Sequence, residues 1–162
     1  KEQARVDKLT GLFNRRFLDE VIISEIDRHT RYGGVLSLII LDIDSLKTVN
    51  DECGHLAGDE MLRKVGDAIR HSIRSTDQAF RYGGDEFAIL LPNTATDAAN
   101  LVAERIRKQI ASSLTAGKIS ITASIGVATW PANGSGTNDV IAAADAASYR
   151  AKKSGGNLCL QA

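Results

Sequence analysis

Apolar residues recur along the chain with two different spacings, which predict helices alternating with strands. From Asn14, a suitable helix cap, apolar side chains recur three and four positions apart until the glycines at 33–34. Residues 36–43 form a short, largely apolar run, which is typical of a central strand covered on both faces. A glycine-punctuated loop is expected over residues 50–58, and a second helix then runs to Ile73.

The second half of the chain predicts a hairpin, two further helices and two strands. Residues 78–82 and 87–91 form the predicted hairpin, because the Gly83-Gly84 pair between them can take positive φ. Pro92 ends its second strand. The remaining elements are a helix with apolar positions from 99 to 110, an alternating strand over 119–127, a helix from Thr137 to the glycines at 155–156, and a short strand over 158–160.

The order of these elements contains a β-α-β-β-α-β core with extra helices. This order predicts an α+β fold of the ferredoxin-like type, with helices on one side of a mostly antiparallel central sheet. Because no repeat or linker interrupts the pattern, residues 1–162 are expected to form one domain. The chain opens with charged, helix-favouring residues and no methionine, so we expect residues 1–13 to lead in from an upstream helix of a longer protein.

Composition narrows the classes of function. Lysine plus arginine equals aspartate plus glutamate at 20 each, which argues against binding a nucleic-acid polymer but not a single nucleotide. No apolar stretch approaches the roughly 20 residues of a membrane helix, so no membrane contact is expected. The two cysteines, Cys53 and Cys159, lie far apart, which favours reduced thiols and a cytoplasmic location.

Two acidic pairs stand where predicted strands end or turn. Asp42 and Asp44 close the apolar strand and, being two residues apart, face the same side of the sheet. Asp85 and Glu86 follow the glycine pair of the hairpin. In a β-α-β-β-α-β sheet, the first strand and the hairpin lie close enough for these acids to converge.

Converging carboxylates repel one another and stay ionised most easily around a hard cation. Magnesium suits them, because it takes one or two carboxylates and completes its coordination with waters and phosphates. Such a site supports in-line attack on a nucleoside triphosphate. Strand ends and turns also carry acidic residues simply because they are exposed, and that ordinary explanation covers either pair taken alone.

Residues 81–87, RYGGDEF, resemble the signature of the GGDEF-domain diguanylate cyclases letter for letter. Other segments resemble the family's motifs in the same order: DKLTGLFNRR at 7–16, DIDSLKTVND at 42–51, GH at 54–55, GD at 58–59, SIGVA at 124–128 and YRAK at 149–152. The resemblance spans nearly the whole chain. It implies a palm-type, nucleotidyl cyclase-like sheet and the conversion of two GTP into cyclic di-GMP and two pyrophosphates.

The resemblance also implies roles at the metal site. Asp42 and Asp85 would bind magnesium together with the backbone carbonyl of Ile43, with Glu86 beside them, and manganese could replace magnesium. Either Asp85 or Glu86 would help to deprotonate the attacking ribose 3′-hydroxyl, and both assignments stay open. Lys47 would lie by the triphosphate and steady the developing charge.

The implied substrate site surrounds these residues. Asn50 and Asp59 correspond to the pair that reads the guanine edge, and a carboxylate there can accept from N1–H and the 2-amino group, which adenine cannot offer together. The remaining implied contacts to GTP come from Ser45, Leu46, Gly83, Gly84 and Lys152. Two positions depart from the family pattern: Leu46 stands where phenylalanine is usual, and Gly156 stands where a phosphate-binding arginine is usual.

Regulation and assembly follow from the same resemblance. Arg74-Ser75-Thr76-Asp77 is an RxxD sequence at the spacing of the family's inhibitory product site, and Arg105 could contribute to such a site across a dimer. The implied partners are GTP, cyclic di-GMP, a second copy of the domain, and an upstream sensor or dimerisation domain.

Three other functions compete with this interpretation. A binding module without turnover is favoured by Gly156 but opposed by intact Asp42, Asp85 and Glu86. A nucleotidyl cyclase with looser base choice is opposed by Asp59. An unrelated magnesium-dependent phosphohydrolase would explain the carboxylates alone, and not the other motifs.

Overall fold

The structure is a computed structural model that describes residues 4–162, so Lys1, Glu2 and Gln3 of the predicted leading segment lie outside the described residues. Helices and strands follow one another as β1 (Phe13–Asn14), α1 (Arg15–Tyr32), β2 (Leu36–Asp44), α2 (Leu46–Cys53), α3 (His55–Ser72), β3 (Gln78–Arg81), β4 (Glu86–Pro92), α4 (Thr96–Ser113), β5 (Thr115–Ala116), β6 (Ile119–Ser120), β7 (Thr122–Trp130), α5 (Thr137–Lys153) and β8 (Leu158–Gln161). None of the helices within residues 4–162 combines the length and the apolar character needed to cross a membrane.

The central sheet has the strand order β1-β3-β4-β2-β7-β8, and β2 pairs antiparallel with both β4 and β7. Alternate residues of β2 pack into two separate hydrophobic cores, one on each face of the sheet. Ile39 and Leu41 pack among residues of α3 and α4, whereas Leu38 and Ile40 pack among residues of α1 and α5. The predicted α+β fold is confirmed: the two helices of the β-α-β-β-α-β core share one face of the sheet, and the extra helices α1 and α5 cover the other.

The loop predicted over residues 50–58 is wrong. Helix α2 continues to Cys53 and α3 begins at His55, so that Gly54, at φ 89°, is the whole connection. Helix α2 is only 8 residues long and buries just Leu46 and Val49, which is too short a run for its periodicity to be recognised. A single glycine suffices to turn the chain because the left-handed region carries no steric penalty for it.

The hairpin of β3 and β4 is present, but the reason given for its glycines is wrong. Neither Gly83 nor Gly84 has a positive φ. The loop is wider than a two-residue turn, and it is closed by the N–H groups of Tyr82 and Gly83, which donate to the carbonyl of Glu86 at 2.8 and 3.1 Å. A wider loop spreads the change of direction over more residues, so no left-handed residue is required.

Candidate active site

The acidic residues of β2 and of the hairpin meet at one end of the sheet. Asp42 stands in register with Glu86 of β4 on one side and with Ser124 of β7 on the other. The N–H of Ile43 donates to the carbonyl of Asp85 at 3.1 Å, which fixes the hairpin loop against the end of β2. Directly opposed residues on neighbouring strands present their side chains to the same face, so the carboxylates of Asp42 and Glu86 are brought side by side.

Asp42 is held in an unfavourable position for a carboxylate. Its Oδ1 atom is buried and has no hydrogen-bond partner among the described residues, while its Oδ2 accepts from the Lys152 ammonium at 3.0 Å. Burial raises the pKa of Asp42 above its ordinary value in spite of Lys152, and the negative charges of Asp85 and Asp44 raise it further. An unpaired buried oxygen is costly unless another group supplies its missing partner.

Glu86 experiences the same crowding. Burial raises its pKa above the ordinary value, and repulsion from Asp42, Asp145 and Asp85 adds to the effect. Asp42 and Glu86 line one wall of a groove of about 480 Å³, and α5 supplies the opposite wall with Ala142, Asp145, Ala146, Ser148 and Tyr149. The carboxylates are therefore half-buried but reachable from one side.

The donor set fits a divalent cation that is held partly by its substrate. No three carboxylate, imidazole or thiol groups within residues 4–162 lie close enough to hold a metal by themselves. Magnesium does not need such a cage, because one or two carboxylates, waters and substrate phosphates satisfy it. The partnerless Oδ1 of Asp42, the raised pKa of its carboxyl and the adjoining carbonyl of Ile43 are the features expected of ligand atoms for that ion.

Lys152 lies at these same atoms. Its ammonium donates to Asp42 Oδ2 at 3.0 Å and to the carbonyl oxygen of Ile43 at 3.4 Å. A cation on α5 thus compensates part of the negative charge at the end of β2, as a metal ion would. The position also puts Lys152 within reach of any anion that approaches the carboxylates.

The start of α2 presents backbone donors beside this cluster. Ser45 precedes the helix with φ 70°, a left-handed conformation that is uncommon for a residue other than glycine, and its side chain does not cap the helix. The first N–H groups of a helix lack intrahelical partners and attract anions. Leu46 buries its side chain in the core, so only its backbone can serve a ligand, whereas the side chain of Lys47 is exposed.

The two residues expected to read guanine lie on either side of a tight turn, and a glycine makes room for one of them. Asn50 lies on α2 and Asp59 on α3, on either side of the turn at Gly54. A Cβ at Gly58 would stand 1.8 Å from Asn50 Oδ1, so the amide occupies the space that a side chain at position 58 would need. Gly58 was not recognised from the sequence as a site residue, although its place directly before Asp59 was the available signal.

Arg81 organises the glycine loop and was also missed. Its guanidinium donates to the carbonyls of Gly83 at 3.2 Å and Gly84 at 2.9 Å, and it contacts the carboxylate of Asp7 at 3.3 Å. Burial raises the pKa of Asp7, but hydrogen bonds from Thr10 and the charge of Arg81 outweigh this and leave the pKa below its ordinary value. Asp7 and Arg81 both lie in motifs quoted from the sequence, yet nothing in their spacing indicated that they pair.

The RxxD residues lie away from the carboxylates, at the end of α3. The Asp77 side chain is fully buried and accepts from the backbone N–H of Arg74 at 2.9 Å, which closes the turn before β3. The Arg74 side chain is 61% exposed and also donates to Thr94. Arg105 donates twice to the carbonyl of Ser72, so Arg74 and Arg105 lie at the same end of α3, with Asp77 buried beneath Arg74.

Comparison with known proteins gives the family. The family model described as "Diguanylate cyclase, GGDEF domain" matches residues 4–158. The chain belongs to this family. The GGDEF domain is 41% identical over 158 residues to diguanylate cyclase DgcP of Pseudomonas aeruginosa, with 96% of this chain and 23% of that protein covered. It is also 41% identical over 162 residues to diguanylate cyclase DosC of Escherichia coli K12, with 97% of this chain and 35% of that protein covered.

Solved structures agree with the family assignment. The GGDEF domain of DgcB from Caulobacter crescentus, solved in complex with c-di-GMP, has a TM-score of 0.90 at 32% identity, with 99% of this chain and 97% of that chain covered. The present GGDEF domain spans about a quarter to a third of the two curated relatives, 23% and 35% of their lengths.

Proposed function

We propose that this GGDEF domain condenses two molecules of GTP into cyclic di-GMP and two pyrophosphates. The observation that carries the proposal is the carboxylate cluster: Asp42 has a buried oxygen without a partner, and Asp85 and Glu86 adjoin it. Family membership and the names of the two relatives support the same reaction.

Asp42, Asp85, Glu86 and the carbonyl of Ile43 would hold the divalent cation, magnesium or, as a substitute, manganese. When bound, this ion neutralises phosphate charge and favours attack at the α-phosphorus.

In each of the two condensations, the ribose 3′-oxygen of one GTP forms a bond to the α-phosphorus of the other. The bond from that phosphorus to the bridging oxygen breaks, and pyrophosphate leaves with the electron pair. The hydroxyl proton must pass to a base near the cluster. Between Asp85 and Glu86 we favour Glu86, because its carboxylate lines the groove beside the cluster and its pKa is raised by burial and by the neighbouring carboxylates.

Cations and backbone donors would hold the triphosphate. Lys47 at the first turn of α2 and Lys152 on α5 approach the cluster from different elements, and both can pair with phosphate oxygens. The backbone N–H groups that could add hydrogen bonds belong to Ser45, Leu46, Gly83 and Gly84. Asn50 and Asp59 would read the guanine edge, which selects GTP over ATP because adenine leaves the carboxylate unpaired.

We further propose that the active unit is a homodimer. The product contains two identical linkages, and each chain has a single carboxylate cluster within residues 4–162, so two domains would meet about a two-fold axis. The groove beside the cluster is bounded by exposed Ala142, Asp145, Ala146 and Tyr149, and the two alanines leave room for a second domain to approach. An upstream sensor or dimerisation domain would raise the local concentration of partners. A cytosolic location, where GTP is abundant, is part of the same proposal.

Dimerisation has its own test. Specific activity of the isolated domain should rise with protein concentration, and fusion to a coiled coil should remove that dependence. Activity strictly proportional to protein concentration in demonstrably monomeric samples would contradict the half-site arrangement.

Product inhibition is proposed at Arg74, Asp77 and Arg105. The exposed guanidinium of Arg74 is oriented by the buried carboxylate of Asp77 and can fork onto a phosphate or guanine edge. Arg74→Ala should keep the initial rate and lose the slowing that accumulates with product. Equal inhibition of both proteins by added cyclic di-GMP would limit the motif to a structural turn.

The central experiment supplies GTP and magnesium and separates the products by chromatography. Asp85→Asn removes one anionic ligand but keeps the shape of the side chain, so the protein should fold and synthesis should collapse. Asp27→Asn, an exposed carboxylate on α1, is the matched control and should leave synthesis unchanged. Cyclic di-GMP formation by folded Asp85→Asn at a near-normal rate would refute the assignment.

Gly156 favours one second candidate, a module that binds GTP or product without turnover. A glycine offers no cation to the phosphates, and the nearby Lys152 is paired with Asp42. Wild-type protein that binds GTP tightly and forms no product, even when dimerised artificially, would support the binding module over the cyclase.

A further inference from the structure

Asp44 ends β2 on the same face as Asp42, yet its carboxylate is engaged differently. Oδ1 accepts from the hydroxyl of Ser124 at 2.7 Å, and Oδ2 accepts from the hydroxyl of Thr122 at 2.7 Å and from the N–H of Asn157 at 2.9 Å. Two of these donors lie on β7, and the third lies in the turn between α5 and β8. The carboxylate of Asp44 therefore fastens that turn to the ends of the two central strands β2 and β7.

The turn is shaped to fit around this carboxylate. Gly156 takes φ 77°, and a Cβ placed on it would stand 2.8 Å from Asp44 Oδ2 and 2.9 Å from its Cγ. Any larger residue at position 156 would have to push Asp44 away or alter the backbone. The glycine that stands here in place of the expected arginine lets the turn close over Asp44.

Lys152 lies only four residues before Gly156, at the end of α5. The middle of α5 is seated independently on β7, where Gly126 packs against the backbone of Ala144 and Ser148. The end of the helix is held by the turn that Asp44 fastens and by Arg150, which donates to the carbonyl of Gln161 on β8. Losing Asp44 should therefore loosen the end of α5 without detaching the helix.

We propose that Asp44 is a positioning residue for Lys152. It binds neither metal nor substrate; it accepts three hydrogen bonds that clamp the α5–β8 turn, and the clamp holds the Lys152 ammonium against Asp42 Oδ2 and the carbonyl of Ile43. The expected consequence for GTP rests on the proposed function, because it requires Lys152 to pair with phosphate. The placement of Lys152 itself does not depend on the proposed function.

The chemistry of Asp44→Asn makes the test specific. An amide keeps the shape but replaces one acceptor oxygen with an NH₂ group, which cannot accept. The acceptor also loses its negative charge, so all three hydrogen bonds to it weaken. An NH₂ group at the Oδ2 position would in addition face the N–H of Asn157, and one at the Oδ1 position would force the Ser124 hydroxyl to turn and accept. The turn should loosen, and a lost hydrogen bond of this kind shifts a local equilibrium by about fivefold.

Acylation of lysines under native conditions, read by mass spectrometry, measures the clamp without any ligand. In Asp44→Asn, Lys152 should react about fivefold faster than in wild type, whereas Lys64, which is exposed on α3, should keep its rate as an internal reference. Asp27→Asn is the matched control and should leave both rates unchanged. Equal Lys152 rates in wild type and in folded Asp44→Asn would overturn the proposal.

A double-mutant cycle on GTP affinity adds a readout that a general loss of structure would not give. Asp44→Asn should weaken GTP binding in the wild-type background and have little further effect in Lys152→Ala, because it acts through that lysine. Equal weakening in both backgrounds would contradict the positioning role. If Asp44→Asn does not fold, Thr122→Val, which removes one donor to Asp44, takes the place of that variant in both experiments.

The two proposals can fail separately. Wild-type protein that forms no cyclic di-GMP would refute the cyclase, while protection of Lys152 that depends on Asp44 would still support the clamp. Synthesis of cyclic di-GMP would support the cyclase, and Lys152 labelling that is the same with and without Asp44 would refute the clamp.

Discussion

A methyl group added at position 58 should weaken the recognition of guanine without weakening the fold. In Gly58→Ala the new Cβ would stand 1.8 Å from Asn50 Oδ1, whereas an ordinary contact begins near 3.4 Å. The amide must therefore retreat by about 1.6 Å, the difference between those two distances. A hydrogen bond of ordinary length does not survive such a displacement.

Gly58→Ala should weaken GTP binding but should not lower the stability of the fold. Losing one hydrogen bond to a desolvated base edge costs about 1–3 kcal/mol, or roughly 5- to 150-fold in GTP affinity. Stability should hold or rise, because the crowded atom is the end of a flexible side chain and alanine is about 1 kcal/mol better than glycine inside a helix. The melting temperature should therefore stay level or rise by about 2–4 °C.

Gly66→Ala on the same helix is the matched control. A Cβ there would lie 3.5 Å from the Thr10 Cβ, an ordinary contact, so this variant gains helix propensity without touching Asn50. Calorimetric titration with GTP and a thermal melt of both variants decide the matter. If Gly58→Ala binds GTP as tightly as Gly66→Ala, Asn50 does not read the base in the orientation described.

Three further predictions test other parts of the molecule. Glu86→Gln should have a higher melting temperature than wild type at a pH above the raised pKa of Glu86, because the wild type then carries an ionised carboxylate among other carboxylates. The difference should disappear as the pH falls through that pKa and Glu86 becomes protonated. Gly126→Ala should lower the melting temperature by several degrees, because its Cβ would meet the Ala144 carbonyl oxygen at 2.1 Å and a backbone clash typically costs about 1–3 kcal/mol or more. Iodoacetamide at neutral pH should alkylate exposed Cys53 in the native protein and spare Cys159, since burial raises the pKa of that thiol to about 12, and mass spectrometry of the two peptides checks this.

Sequence patterns recovered the fold because its elements are long enough to display their periods. The central strand, the hairpin and the four longer helices were all predicted, and the signature residues located the acidic cluster. Helix α2 escaped because 8 residues with two buried positions carry almost no periodicity. The glycines of the signature were explained by a φ that they do not adopt, since a wide loop needs no left-handed residue.

What sequence could not provide were contacts between distant segments. The pairing of Asp7 with Arg81, the donors of Thr122 and Ser124 to Asp44, and the fit of Gly156 depend on three-dimensional approach across the sheet. Each of these residues is ordinary in its local context. The donors to Asp44 follow from the register of β2 with β7, in which Asp44 stands opposite Thr122, and the other two contacts follow from how the loops fold back on the sheet.

The bond network of Arg81 gives the domain a built-in mechanical coupling. The Arg81 guanidinium contacts the carboxylate of Asp7, near the start of the described chain. It also donates to the carbonyls of Gly83 and Gly84, the two residues that precede Asp85. A displacement of the segment around Asp7 would therefore be transmitted to the glycine loop through one planar guanidinium group. Under the proposed function, in which Asp85 binds the metal ion, such a displacement would change the direction of that carboxylate without any change in the sheet or in the surrounding helices.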